Sequence, residues 1–112
     1  MQVTISFGPI TVLSVQGNID SSTFRDLIEQ GEQVIKQGHS SLVVDLQRVG
    51  YVSSAGLMAL QTIAGEANDS GGKMAGAGLN KQVQHVMDLA GFDQILSIFS
   101  DVAAAQASLE KK

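Results

Sequence analysis

Two adjacent serines, Ser53 and Ser54 in the stretch Tyr51-Val52-Ser53-Ser54-Ala55-Gly56, are the residues best placed to do chemistry. Three kinds of chemistry suit a serine pair at the start of a helical pattern. A hydroxyl can cap the helix by accepting a hydrogen bond from an N–H that has no partner, which contributes about 1 kcal/mol. It can attack a carbonyl as a hydrolase nucleophile, or it can accept a phosphoryl group. The nucleophile needs a base, and the surroundings offer none. A hydrolase elbow reads G-x-S-x-G; around Ser54 the second glycine is present as Gly56, but Val52 holds the first position. The two histidines, His39 in a turn and His85 in a helical stretch, have no serine or carboxylate beside them that would mark a triad.

The phosphoacceptor reading is physically reasonable. Backbone N–H groups and the helix dipole tolerate negative charge at a helix N-terminus, so a phosphate there leaves the domain folded. Phosphorylation adds about −1.5 to −2 charge. Like charges about 4 Å apart at an effective dielectric near 20 repel by roughly 4 kcal/mol, whereas a hundredfold loss of affinity needs only about 2.7 kcal/mol. If Ser53 is the cap, Val52 and Leu57 stand at N′ and N4, where they can form a hydrophobic staple. Capping and phosphorylation both remain open at this stage.

The serines must be held by the elements around them. Val3, Ile5 and Phe7 alternate with polar residues, which predicts a strand over 2–7 with one buried face; Gly8-Pro9 breaks it and a second strand follows over 10–16. The pair reads as an antiparallel hairpin at a sheet edge. Phe24, Leu27, Ile28, Val34 and Ile35 then fall on one helical face over about 22–37, with Asp20, Ser21 and Ser22 as cap candidates and Gly38 as the stop. Gly31 lies on that face where a neighbouring strand could come close. The apolar run Ser41 to Leu46 predicts a central strand covered on both faces.

Leu57, Leu60, Ala64 and Ala67 form one side of the second helix, which ends at Asp69-Ser70-Gly71-Gly72. A weaker strand over 73–79 leads to a helix capped by Asn80, with Val83, Val86, Met87 and Ala90 inward; Gly91 has the place of a left-handed C′ residue that turns Phe92 back on Met87. Residues 95–99 predict a last strand, and Asp101 caps a final helix before the charged tail Glu110-Lys111-Lys112. Strands alternating with helices in this order predict a single α/β domain over 1–112: a mixed, largely parallel sheet of four to five strands packed with about four helices. Sites in such folds gather where strand C-termini hand over to helix N-termini, here Asp45 to Gly56.

Composition narrows the function classes. The chain has 112 residues, 44% hydrophobic and 16% charged, as expected of one compact domain. A net charge of −4 argues against nucleic acid, and the scarcity of aromatic residues removes a stacking platform for bases. Without cysteine there is no thiolate nucleophile or cysteine-ligated metal, and no metal or cofactor is expected. The N-terminus lacks a signal-peptide pattern and no run reaches the ~18 apolar residues of a membrane span, so a cytoplasmic chain without membrane insertion is expected. Gly76-Ala77-Gly78 lacks the spacing of a nucleotide-binding loop.

The segment from Val43 to Leu57, VVDLQRVGYVSSAGL, resembles the signature of STAS domains, the family of bacterial anti-sigma factor antagonists. Gly17-Asn18-Ile19-Asp20 is similar to the family's G-x-L-D lead-in to its first helix. Ala77 to Asn80 with Leu89 to Phe92 is similar to its L-x-L-A-G-L region, and Ile98 to Ala105 to its F-x-S-x-x-E-A close. The resemblance covers nearly the whole chain. It implies a non-enzymatic partner switch: the unphosphorylated domain binds an anti-sigma factor that is also a serine kinase of histidine-kinase-like ATPase type. Phosphorylation at the start of the second helix releases it, and a PP2C-type serine phosphatase reverses the change.

The usual family form at that place is D-S-S/T-G-L, with the acceptor directly before the glycine; here Ala55 stands there. A form S-S-A-G also occurs in the family, which makes Ser54 the expected acceptor and Ser53 the second choice. Partner contacts are expected from Asp20, Ser21, Ser22, Ser53, Ser54, Gly56, Leu57 and Met58. The Ala55 departure supports an alternative, a non-phosphorylated STAS scaffold or subunit of a larger signalling or transport-associated complex.

Overall fold

A computed structural model describes residues 1–110, apart from the Asp93 side chain; Lys111 and Lys112 of the expected tail lie outside the described residues. The elements are β1 (Gln2–Ser6), β2 (Thr11–Gln16), α1 (Phe24–Lys36), β3 (Leu42–Arg48), α2 (Ser54–Asp69), β4 (Met74–Ala77), α3 (Lys81–Leu89), a 3-10 turn over Phe92–Gln94, β5 (Ser97–Phe99) and α4 (Val102–Glu110). One five-stranded sheet runs in the order β1-β2-β3-β4-β5. Among the described residues only the β1–β2 pair is antiparallel. This is the mixed, largely parallel α/β architecture that the alternation of strand and helix patterns predicts.

The order explains the layers. Successive parallel strands step in one direction across the sheet, and right-handed crossovers then place their connecting helices on one face. The larger core lies on that face, where Leu13 and Val15 of β2 and Leu42, Val44 and Leu46 of β3 meet Leu27 and Val34 of α1 and Leu60 and Ile63 of α2. Helix α4 returns over the other face, so Val43, Ala75 and Ala77 pack with Ala105. The apolar run in β3 is therefore buried on both sides, as its lack of alternation implies.

Several boundaries differ from the sequence pattern. Strand β1 stops at Ser6, and Phe7 is 56% exposed, its ring tilted 53° against His39 with 4.8 Å between centroids; among the described residues no layer covers it beyond the hairpin edge. Helix α1 starts at Phe24 rather than near Ser22, because Asp20 and Ser22 are tied into a turn ahead of it. Gly31 meets a helix and not a strand: a Cβ there would come within 2.9 Å of the Ile63 side chain of α2. Strand β4 ends at Ala77 because Gly78 turns with φ +75°. Strand β5 starts at Ser97, since residues 92–94 wind into the 3-10 turn and leave Ile95 exposed. On α3, Val83 and Met87 are buried as expected, but Ala90 caps the helix and is exposed. Gly91 is left-handed, with φ 66°, and Phe92 joins Met87 in the larger core.

A candidate partner-binding rim built on two serines

The C-terminal ends of β2 and β3 continue as paired loops. The Gly17 N–H donates to the Arg48 carbonyl at 3.1 Å, Ile19 to Tyr51 at 3.0 Å, and Ser53 to Ile19 at 2.9 Å. Ile19 and Val52 bridge in parallel and are both fully buried. This short ladder brings Asp20, which leads into α1, and Ser53, which leads into α2, to one rim of the domain. Asn80 fastens the third helix to the same place: its side-chain amide donates to the Val49 carbonyl at 3.1 Å, and its oxygen caps α3 by accepting from Val83 N–H at 2.7 Å.

The two serines divide the roles left open by the sequence. Ser53 is the N-cap of α2, with extended backbone at φ −85° and ψ 178°, and its Oγ accepts from the Gly56 N–H at 3.2 Å. Val52 is buried and Leu57 packs half-buried against the same core, as the staple predicts. Ser54 is the first helical residue and is exposed. Among the described residues its hydroxyl has no hydrogen-bond partner, and the Ser54 and Ala55 N–H groups have no acceptor. An exposed hydroxyl thus sits beside free donors at the positive end of a 16-residue helix.

Close approach sets this geometry. A Cβ on Gly56 would collide with the Ile19 carbonyl oxygen and come within 2.8 Å of Val52 Cγ1. Only glycine lets the first turn of α2 lie against the loop that follows β2. Gly56, expected among the contact residues, is buried and positions the rim through this close approach.

Across the rim, the Asp20 carboxylate accepts from the Ser22 N–H at 2.9 Å and from its hydroxyl at 2.7 Å. These Ser22 bonds hold its pKa below the ordinary aspartate range, with Thr23 adding to the effect. The Thr23 hydroxyl accepts from Asp20 N–H at 3.0 Å and donates to the Asn18 carbonyl at 2.9 Å. Ser21 and Ser22 are exposed and Asp20 is half-buried. Met58 lies at the surface, at 51% exposure. Tyr51, two residues before Ser53, is 43% exposed, an aromatic near the rim that the sequence pattern alone does not single out. Its signal is a lone aromatic in a polar loop next to the serine pair. Thr23 and Asn80 are likewise not singled out as the residues that hold the loops.

Neither serine hydroxyl meets a histidine or carboxylate among the described residues. His39 precedes β3 and so lies at the opposite end of the sheet, while His85 is exposed on α3. Among the described residues no three His, Asp or Glu side chains come together as metal ligands would, and no helix is long and apolar enough to cross a membrane.

Comparison with known proteins bears on the fold. BtrV of Bordetella bronchiseptica, named "Putative anti-sigma factor antagonist BtrV", is 26% identical over 99 residues, covering 88% of this chain and 85% of that one. The crystal structure of an anti-sigma factor antagonist from Mycobacterium paratuberculosis superposes with a TM-score of 0.89 at 21% identity, over 98% of this chain and 94% of the other. The Bacillus cell fate determinant SpoIIAA in its phosphorylated form shares the fold with a TM-score of 0.72 at 13% identity, over 96% and 99% of the two chains. Residues 4–98 match the family model described as "Mlab, STAS domain", and the chain belongs to the STAS-domain family.

Proposed function

We propose that this chain is an anti-sigma factor antagonist in a bacterial partner-switching pathway, and that Ser54 is its switch. In the unphosphorylated state the rim of Asp20, Ser21, Ser22, Ser54, Leu57 and Met58 binds an anti-sigma serine kinase of histidine-kinase-like ATPase type. The γ-phosphoryl group of ATP passes to Ser54 Oγ, ADP leaves, and the hydroxyl proton goes to a base of the kinase. A PP2C-type phosphatase hydrolyses the ester and restores the hydroxyl. The role is regulatory rather than enzymatic and places the chain in the cytoplasm, upstream of transcription.

One observation carries the choice of Ser54: its neighbour is already occupied as the helix cap, whereas Ser54 presents an exposed hydroxyl without a partner among the described residues. A phosphate there keeps the fold, because free N–H groups and the helix dipole accept its charge. It also places about −1.5 to −2 charge in the middle of a surface whose apolar contacts, Met58 and Leu57, require desolvation. The test is affinity for the cognate kinase. Ser54→Ala keeps the wild-type value and Ser54→Asp lowers it at least about a hundredfold; equal affinity of the two variants contradicts the proposal.

A second reading draws on Ala55, which carries no hydroxyl where the common family form places its acceptor. In that reading the chain is a non-phosphorylated scaffold or a subunit of a larger signalling or transport-associated complex. Capture of a non-kinase partner, unchanged by modification state, would favour it.

A further inference from the structure

The sheet has two edges, and the chain treats them differently. At one edge β5 is only three residues long, and brevity is a common protection against stray pairing. At the other, β1 offers Gln-Val-Thr-Ile-Ser over Gln2–Ser6, five residues without a charge or a proline. Its register with β2 runs unbroken from Gln2↔Gln16 to Ser6↔Val12, so no bulge twists the edge away. Among the described residues nothing pairs with its outer side. A regular, uncharged, β-branched edge in a chain of net charge −4 is an open pairing site without the usual safeguards.

We propose that this edge pairs with the β1 edge of a second copy of the chain, antiparallel about a two-fold axis through Thr4. The strand is its own complement in that register. Gln2 faces Ser6 of the other copy, Val3 faces Ile5, and Thr4 faces Thr4, so apolar meets apolar on one face and polar meets polar on the other. One step further out, Phe7 faces Met1. Met1, Val3 and Ile5 already lean half-buried against the larger core, and Phe7 is 56% exposed; each gains a neighbour from the other copy. Methionine beside an aromatic ring is a favourable contact. Charge permits this occupant at the strand itself, which brings no like side-chain charges face to face although each copy carries a net −4. The product is a closed dimer with one continuous ten-stranded sheet, the isologous arrangement that two-fold symmetry requires. A strand this short gives an interface at the small end of the range, hence a weak and concentration-dependent dimer.

Sedimentation equilibrium from about 10 μM to about 1 mM tests it. The wild-type chain shifts from monomer to dimer across that range. Thr4 is exposed, so Thr4→Lys leaves the monomer fold intact, as circular dichroism verifies, but sets two cations opposite each other and weakens association at least about tenfold. Thr4→Glu does the same by opposing anions, and an equimolar mixture of Thr4→Lys and Thr4→Glu regains a dimer. A wild-type chain that stays monomeric throughout overturns the proposal. So does a Thr4→Lys dimer as tight as wild type, and a mixture that fails to associate overturns the Thr4-centred register. Should Thr4→Lys not fold, Thr4→Glu alone carries the same prediction.

Discussion

Two glycines in α2 make opposite predictions for the same substitution. In Gly56→Ala the new Cβ meets the Ile19 carbonyl oxygen, with Val52 Cγ1 at 2.8 Å and Ile19 Cγ2 at 3.0 Å. The carbonyl cannot give way freely, because it accepts the Ser53 N–H that joins the two loops. Relief requires the first turn of α2 to move outward, opening contacts between Val52, Leu57 and the core. Overpacking of this kind costs about 1–3 kcal/mol, well above the helix propensity that alanine gains. In Gly65→Ala the Cβ has nothing within 4 Å and the residue sits mid-helix with ordinary backbone, so the substitution stabilises by roughly 0.5–1 kcal/mol. Urea unfolding with a common slope measures both against wild type. Gly56→Ala should unfold at lower denaturant and Gly65→Ala at higher. If Gly56→Ala is as stable as Gly65→Ala, the loop against which α2 starts is soft, and glycine is not what positions the serines.

The remaining predictions test other parts of the account. Ser53→Ala removes the cap and destabilises by about 1 kcal/mol, while Ser54→Ala stays within about 0.5 kcal/mol of wild type in the same unfolding assay. Thr11 is buried with no hydrogen-bond partner for its hydroxyl among the described residues, so Thr11→Val should be neutral or stabilising by up to about 1 kcal/mol. Glu66 has its pKa raised above the ordinary range, chiefly by the neighbouring Glu32 carboxyl, beside which the protonated form is favoured. The folded chain therefore binds this proton more tightly than the unfolded chain, and stability falls as pH rises from the unfolded value through the folded one. Glu66→Gln removes that slope and, for a surface site, raises neutral-pH stability by no more than about 0.5 kcal/mol; thermal unfolding at a series of pH values reads both effects.

Much of this architecture was legible because local patterns and global packing agree. The double-sided burial of β3 follows from an apolar run that lacks alternation, and Asn80 and Asp101 cap the helices they precede, Asp101 accepting from Ala104 N–H at 2.8 Å. What the sequence left open depends on partners distant in the chain. Periodicity put Gly31 on the buried face of α1 but could not say that Ile63 of another helix fills the space beside it. Phe7 continues the alternation of β1, yet exposure is decided by where the covering layer ends. The same holds at the rim. Either serine could cap α2 on sequence grounds, and the choice was made by Ile19, whose backbone grips Ser53 and holds it just outside the helix. Gly56 read as part of a contact motif because motif residues stand together in sequence, whereas its burial follows from the loop packed on it.

The central claim is that one serine builds the helix start and the other operates it. Site-resolved mass spectrometry of the protein isolated from its own cells, across growth conditions and with the serine phosphatase present or deleted, tests this most directly. The account predicts phosphate on Ser54, rising when the phosphatase is absent, and none on Ser53. Phosphate on Ser53, or on neither serine in any state, would contradict it.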